Sequence, residues 1–374
     1  MSVATCSVPY IDLGQQHAGI KPELMEAVSE VIDTGQFVLG EQVGEFERRF
    51  ARLCGVSHAV GVSSGTDALI LALRVLGIGP GDEVLTAPNS FVASIGCIRL
   101  VGATPVLVDV GTDYNIDPTR IEVAITSRTR AILPVHLSGR PCRMEEIRDI
   151  AGRYSLPIIE DAAQAVSAEY GGRRVGSLGT LGCFSLHPLK TLNACGDAGV
   201  ITTANLQDYE KLKLMRNLGL RTRDECVLWA ANTRLDTMQA AILLVKLRYL
   251  DEWTEKRRAN ARFYQQQLAG LSGLILPVDQ NHERAVYHTF VVQAEARDRL
   301  RAYLTARGIG SAIHYPVPIH LTNAGSDLGY PAGSFPVAEA QANRILSLPI
   351  HQGLTSGQLE RVCEVITEFY VSYN

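Results

Sequence analysis

Between about residues 58 and 203 the chain alternates short, unbroken apolar runs with stretches of helical period. The runs are His58–Ser63, Glu83–Ala87, Pro105–Val110, Ala131–His136, Pro157–Glu160, Cys183–Leu186 and Gly199–Thr203. Because they lack polar alternation, they predict strands covered on both faces. The segments Thr66–Leu76 and Met144–Tyr154 repeat apolar residues every three or four positions and predict crossover helices, so the region reads as a mostly parallel sheet of seven strands. Ahead of it, Leu24, Ala27, Val28, Val31 and Ile32 lie at helical spacing within Glu23–Asp33, and Gly35 marks the stop. Behind it, Met238, Ala241, Ile242, Val245 and Tyr249 form one face of a long helix over Asp236–Leu250. The pattern then changes to strands at Tyr287–Val292 and Gly310–His314 and a closing helix at Ser356–Glu368. The expected fold class is α/β, with a large domain over residues 1–250, including an N-terminal helical arm, and a smaller α+β domain over residues 251–374.

Composition narrows the function. A chain of 374 residues, 46% hydrophobic and 20% charged, buries a core without staples and is neither disordered nor fibrous. A net charge of −4 offers no footing for a phosphate backbone, so no nucleic-acid partner is expected. The first basic residue is Lys21, and no apolar stretch approaches the ~18 residues of a membrane span, which predicts a cytoplasmic protein with no membrane partner. The eight cysteines form no C-x-x-C pair and read as reduced, buried hydrophobes. No metal site is expected. The spacing Gly176-x-x-Gly179-x-x-Gly182 precedes a strand where a nucleotide loop would follow one, and His136 and His187 lack metal-ligand companions.

Ligands of open parallel sheets collect at the carboxyl ends of strands, so the polar residues after each run carry the chemistry. Ser63-Ser64-Gly65-Thr66-Asp67 is a small-residue turn entering a helix, suited to an anion. Asp161 follows the fifth run, and Lys190, 29 residues further on, follows the sixth in a segment poor in charge. Alone, each has an ordinary structural reading: a helix cap, half of an ion pair, a solvated lysine. Together they supply an anion site, an acid for a pyridine nitrogen and an amine for a Schiff base, the three needs of pyridoxal 5'-phosphate.

The motifs SSGTDAL (63–69), GATPVLVD (102–109), AILPVHLSG (131–139), EDAAQA (160–165), Phe184–Gly199, NTRLD (232–236), HYPVP (314–318) and LSLP (346–349) resemble the DegT/DnrJ/EryC1/StrS family of sugar aminotransferases, from about Tyr10 to the C-terminus. The resemblance implies a fold of the aspartate-aminotransferase type, fold type I, and a homodimer with a shared active site. It implies that Lys190 forms the Schiff base, Asp161 partners the pyridine nitrogen, Gln164 contacts the phenolic oxygen and Phe91 lies on the ring. Gly65, Thr66 and Ser185 would hold the phosphate, joined by Asn232 of the other subunit, and His314, Tyr315 and His320 fall on the substrate side. Two departures, Ala231 before Asn232 and the loop Asn193-Ala194-Cys195 after Lys190, bear on the substrate only. The activity implied is transfer of an amino group, with glutamate as donor, to a keto group of a nucleotide-linked sugar. Two alternatives are a pyridoxamine-phosphate sugar dehydratase, which would carry histidine in place of Lys190, and a non-catalytic regulatory protein, which would have lost the constellation.

Overall fold

Helix ends and strand register in this chain follow from a few glycines and from where the apolar runs stop. The computed structural model describes residues 8–373; Cys6 lies outside the described residues. After α1 (Leu13–Ala18), α2 (Lys21–Thr34) ends at Gly35, whose φ of 67° is the left-handed conformation that closes a helix without steric cost. Leu24 of α2 packs with Ile242, Val245 and Trp253, tying this helical arm to helices later in the chain. The next helix, α3 (Glu41–Cys54), buries Phe46 and Phe50, and Phe50 meets Phe184 edge-on at 5.0 Å.

The central strands are β1 (His58–Val62), β2 (Glu83–Thr86), β3 (Thr104–Leu107), β4 (Thr129–Ile132) and β5 (Ile159–Asp161). A small hairpin, β6 (Glu169–Tyr170) and β7 (Arg173–Arg174), precedes β8 (Leu181–Ser185) and β9 (Gly199–Thr203). Where one mostly parallel sheet of seven strands was expected, the structure has a four-stranded ladder, β1-β9-β8-β5, and a three-stranded parallel ladder, β3-β2-β4. Isolated parallel bridges, Ile132 to Ile158 and Val135 to Asp161, join the two. In the larger ladder β9 runs antiparallel to both neighbours. Helix α4 (Gly65–Val75) follows β1, and α5 (Val92–Leu100) follows β2, each with its apolar side inward.

Further on, helix Leu250–Gln267, strand Phe290–Ala294 and the closing helix Ser356–Tyr373 build a separate core around Tyr264, Phe290, Leu304, Leu346 and Ile366. Ile319, Phe335 and Ala338 pack instead with the first core.

Four expectations are corrected. The helix expected over Asp236–Leu250 is two, Thr237–Leu247 and Leu250–Gln267, with a break at Arg248. The strand expected at Tyr287 starts at Phe290, since Tyr287 has φ 50° and leaves the extended region. Gly310–His314 forms no strand: Gly310 donates to Val8 while Ala312 pairs with Ser347, and two different partners cannot make one ladder. Cys54, Cys97, Cys142, Cys183 and Cys363 are buried as expected, whereas Cys195, on the connection after Lys190, and Cys226, in a short exposed hairpin strand, are exposed.

Candidate active site

The antiparallel strand β9 begins where β1 and β8 end, since Gly199 is opposite Val62 on one side and Ser185 on the other. The turns leaving β1 and β8 therefore meet across a glycine. A Cβ on Gly199 would stand 2.3 Å from the carbonyl oxygen of Ser64, and one on Gly65 would stand 2.6 Å from Cβ of Ser185, so neither position has room for a side chain. Ser64 caps α4, its hydroxyl accepting from the Asp67 amide at 3.0 Å. The amides of Gly65 and Thr66 have no acceptor among the described residues, and the positive end of the α4 dipole faces the same cup. This is a cradle for an anion, with Ser185 Oγ on its opposite wall.

At the end of β5, Asp161 is almost fully buried. Its Oδ2 accepts from Ser94 Oγ at 2.7 Å and its Oδ1 from the Ala163 amide at 3.2 Å. Burial raises its proton affinity above the usual carboxylate range, against those two hydrogen bonds and the charge of Lys190. Beside it, Glu160 points the other way, accepting from His136 Nε2 (3.0 Å) and from the amides of Gly176, Leu178 and Gly179. The glycine spacing seen in the sequence thus serves a structural turn, and His136 is satisfied as expected. His187 is exposed, its Nδ1 accepting from the Leu189 amide.

Lys190 follows β8. Burial lowers its pKa from 10.5 to about 8, with Asp161 as the opposing charge. Its backbone carbonyl accepts from Asn193 Nδ2 at 2.8 Å, and Asn193 Oδ1 in turn takes a 2.6 Å bond from the buried Lys246, so the departing loop is held from two sides.

Gln164 Oε1 accepts from the Ser138 amide at 2.7 Å, and its Nε2 lies 3.4 Å from Tyr315 Oη. Phe91, which precedes α5 and is half exposed, has its ring 5.7 Å from that of Tyr315. His314 stacks on Tyr10 at 5.9 Å and shares a 2.9 Å hydrogen bond with Ser347. Its pKa is pushed down to about 4 by burial and the charge of Lys190, which keeps the ring neutral.

The structure therefore brings together Gly65, Thr66 and Ser185 at the cup, and links Asp161, Lys190, Gln164, Phe91, His314 and Tyr315 through contacts and mutual electrostatics. Two residues stand apart. His320 is buried on Glu339 (3.0 Å) and against Phe335, packing rather than facing this cleft. Asn232 is exposed and bridged to Asn217. Sequence reading missed Ser94, Ser138 and Tyr10. Ser94 had a signal, standing one helical turn after Ser90; the others are joined only by folding. A separate cleft of about 670 Å³, lined by Arg258, Leu276 and Tyr287, carries none of the cluster's residues.

The donor set fits pyridoxal phosphate: a cradle that a Cβ would fill, free amides for a phosphate, a buried carboxylate lacking a cation in contact, and an amine whose pKa burial lowers to about 8. Residues 19–367 match the DegT/DnrJ/EryC1/StrS aminotransferase family. The dTDP-3-amino-3,4,6-trideoxy-alpha-D-glucose transaminase of Streptomyces venezuelae is 44% identical over 366 residues, covering 98% of this chain and 97% of that protein. A crystal structure of S. venezuelae DesV in complex with a ketimine intermediate superposes with a TM-score of 0.95 at 45% identity, covering 97% of this chain and 98% of that one. NtdA of Bacillus subtilis with bound cofactor PMP gives a TM-score of 0.91 at 30% identity, covering 99% and 86%.

Proposed function

The chain belongs to the DegT/DnrJ/EryC1/StrS aminotransferase family, a pyridoxal-phosphate-dependent sugar aminotransferase, and from that premise we propose its substrates and the part each residue plays. The acceptor is a ketosugar carried on a nucleoside diphosphate, as in the name of its S. venezuelae relative, and the donor, following the family resemblance, is glutamate.

In this reading the amides of Gly65 and Thr66 and the hydroxyl of Ser185 hold the phosphate, because an anion at a helix N-terminus takes up donors that the helix leaves free. Phe91 covers one face of the ring and Gln164, fixed by the Ser138 amide, reaches its phenolic oxygen. Asp161 holds a proton on the ring nitrogen. When bound, the cofactor supplies an electron-poor ring that draws charge from the substrate carbon. Lys190 would anchor the cofactor through its amine; with the donor's amine in that place, the freed Lys190 amine would accept the proton leaving the donor's α-carbon and hand it to the cofactor, and in the second half-reaction would take a proton back from the cofactor and give it to the sugar carbon. His314 and Tyr315, above Gln164, line the substrate side. His320 keeps its place in the segment but acts through packing.

The observation that carries this assignment is the pairing of Lys190, with pKa about 8, and the buried Asp161 at the ends of neighbouring strands. It also disfavours a dehydratase, which dispenses with the lysine, and a scaffold, which has no need to lower a lysine's pKa. The site is completed by Asn232 of a second copy in a homodimer, and the large unit through about residue 250 carries the cofactor while the smaller α+β unit, residues 251–374, brings His314 and Tyr315 to the substrate side. Seven unbridged cysteines among the described residues suit a reducing, cytoplasmic setting. No described helix is long and apolar enough to cross a membrane.

The test is to incubate the holoenzyme with glutamate and a panel of nucleotide-linked ketosugars, following 2-oxoglutarate and the aminated sugar by NMR. Product amine on at least one sugar is expected. Turnover with free amino and keto acids but with none of the sugars would sink the acceptor assignment.

A further inference from the structure

The turn that presents Phe91 also carries two buried serines. Ser90 stands just before α5 and Ser94 is its third residue, 3% and 1% exposed. Their Oγ atoms are 2.8 Å apart, and Ser94 Oγ lies 2.7 Å from Oδ2 of Asp161. A hydroxyl has one proton to give, and an ionised carboxylate can only accept. Ser94 must therefore donate to Asp161 and Ser90 to Ser94. The direction of both bonds is fixed for as long as Asp161 is charged.

No other side chain donates to this carboxylate among the described residues. His136, which faces it from the end of β4, accepts from the Cys142 amide through Nδ1 and so carries its proton on Nε2, where it is committed to Glu160. Lys190 faces it from beyond β8 as a charge, and Tyr315 lies within its field with its hydroxyl turned to Gln164. Cys97 on α5, Cys183 on β8 and Cys142 also feel the charge of Asp161, and burial keeps all three as neutral thiols. Against the desolvation of Asp161 the protein thus sets, beside the charge of Lys190, two hydrogen bonds, one from a backbone amide and one from a hydroxyl, and the hydroxyl makes the shorter bond.

We propose that Ser94, backed by Ser90, is a positioning residue for the reaction, holding the Asp161 carboxylate charged and turned so that its remaining lone pairs meet the ring nitrogen. The proposal rests on the reading of Asp161 as the partner of that nitrogen. It gives the Ser90–Ser94 turn two tasks on one element, since Phe91 between the serines is the residue laid on the ring.

Removing the hydroxyl leaves a buried carboxylate with a single amide to hold it, so it takes up a proton at higher pH. Ser94→Ala should lower kcat about tenfold or more, as loss of a hydrogen bond to a charged group does, with the KM values for both substrates little changed. The acid limb of the kcat profile should move up by about one pH unit. The affinity of the apoenzyme for pyridoxal 5'-phosphate, measured by fluorescence titration across pH, should fall off at a correspondingly higher pH. Ser94→Thr keeps the hydroxyl and should restore both curves, and Ser90→Ala should move them the same way by less. If Ser94→Ala does not fold, Ser90→Ala, which leaves the contact with Asp161 in place, carries the same readings.

Asp161→Asn is run alongside. If the Ser94→Ala curves superimpose on wild type while Asp161→Asn is inactive, Ser94 merely packs and the proposal is overturned. A loss in Ser94→Ala without movement of either pH curve, unrelieved by threonine, overturns it equally. If Asp161→Asn keeps wild-type kcat, the reading of Asp161 has failed, and the proposal fails with it.

Discussion

A lysine that is to act as a nucleophile must be neutral in a useful fraction near physiological pH, and burial alone moves Lys190 there. With a pKa of about 8, about a tenth of the amine is neutral at pH 7, against fewer than one in a thousand for an ordinary lysine. Because the pKa is lowered, the neutral, reactive form grows as pH rises through about 8. Modification of Lys190 by trinitrobenzenesulfonate in the apoenzyme should thus show a midpoint near 8, and Asp161→Asn, which removes the opposing negative charge, should move it lower. A midpoint near the usual 10.5 would show that the amine is solvated after all. In the holoenzyme, borohydride should fix the cofactor on Lys190, and Lys190→Ala should retain none after reduction. Peptide mapping that finds the label elsewhere refutes the assignment. Asp161→Asn should keep the cofactor but reduce kcat by about 10² to 10³, the scale seen when one preorganised electrostatic group is lost, since an amide cannot hold the ring nitrogen's proton. A raised KM with kcat intact would contradict it.

Elements show which parts of this architecture the chain spells out locally. Helix Met144–Tyr154 and strand Gly199–Thr203 end where their apolar patterns end, and the polar residues following the first, fifth and sixth runs do meet at one site. Strand direction was not legible, because a run buried on both faces looks the same read up or down. Yet direction is what makes the cup: β9 runs antiparallel so that Gly199 starts between the ends of β1 and β8. The placement of His320 was hidden for a similar reason, as its partner Glu339 lies 19 residues away and only folding joins them. The tightness at Gly65 yields a test at this scale. An alanine there would place Cβ 2.6 Å from Ser185 Cβ, forcing apart the two turns that form the anion cradle. Such overpacking costs about 1–3 kcal/mol. Gly65→Ala should therefore weaken pyridoxal-phosphate binding to the apoenzyme about 5- to 150-fold while the far-ultraviolet circular dichroism stays native. Unchanged affinity would mean that the phosphate is held elsewhere.

On the scale of the whole molecule, one copy of the chain leaves its cup open and its large apolar side chains uncovered. Trp229 is 97% exposed, and Phe37 and Val38 are about half exposed. Trp229 is three residues before Asn232 in the chain, and Val38 bridges Asp236, four residues after it, so exposed apolar side chains flank the segment that carries the residue assigned to the neighbouring phosphate. Exposed aromatic residues in the same stretch of chain as an exposed polar side chain are what a partner surface presents. Substituting Asn232→Asp would set a like charge beside the phosphate of the other copy, while Lys190→Ala disables the copy that carries it. Each variant alone should be inactive or nearly so. In a mixed dimer one site would hold both lesions and the other neither, so mixing the two proteins under conditions of subunit exchange should return activity, up to half of wild type in each heterodimer. Exchange itself is followed by native mass spectrometry of differently tagged copies. If heterodimers form and activity stays absent while Asn232→Asp melts like wild type, Asn232 serves the site of its own chain and the shared-site assignment is wrong.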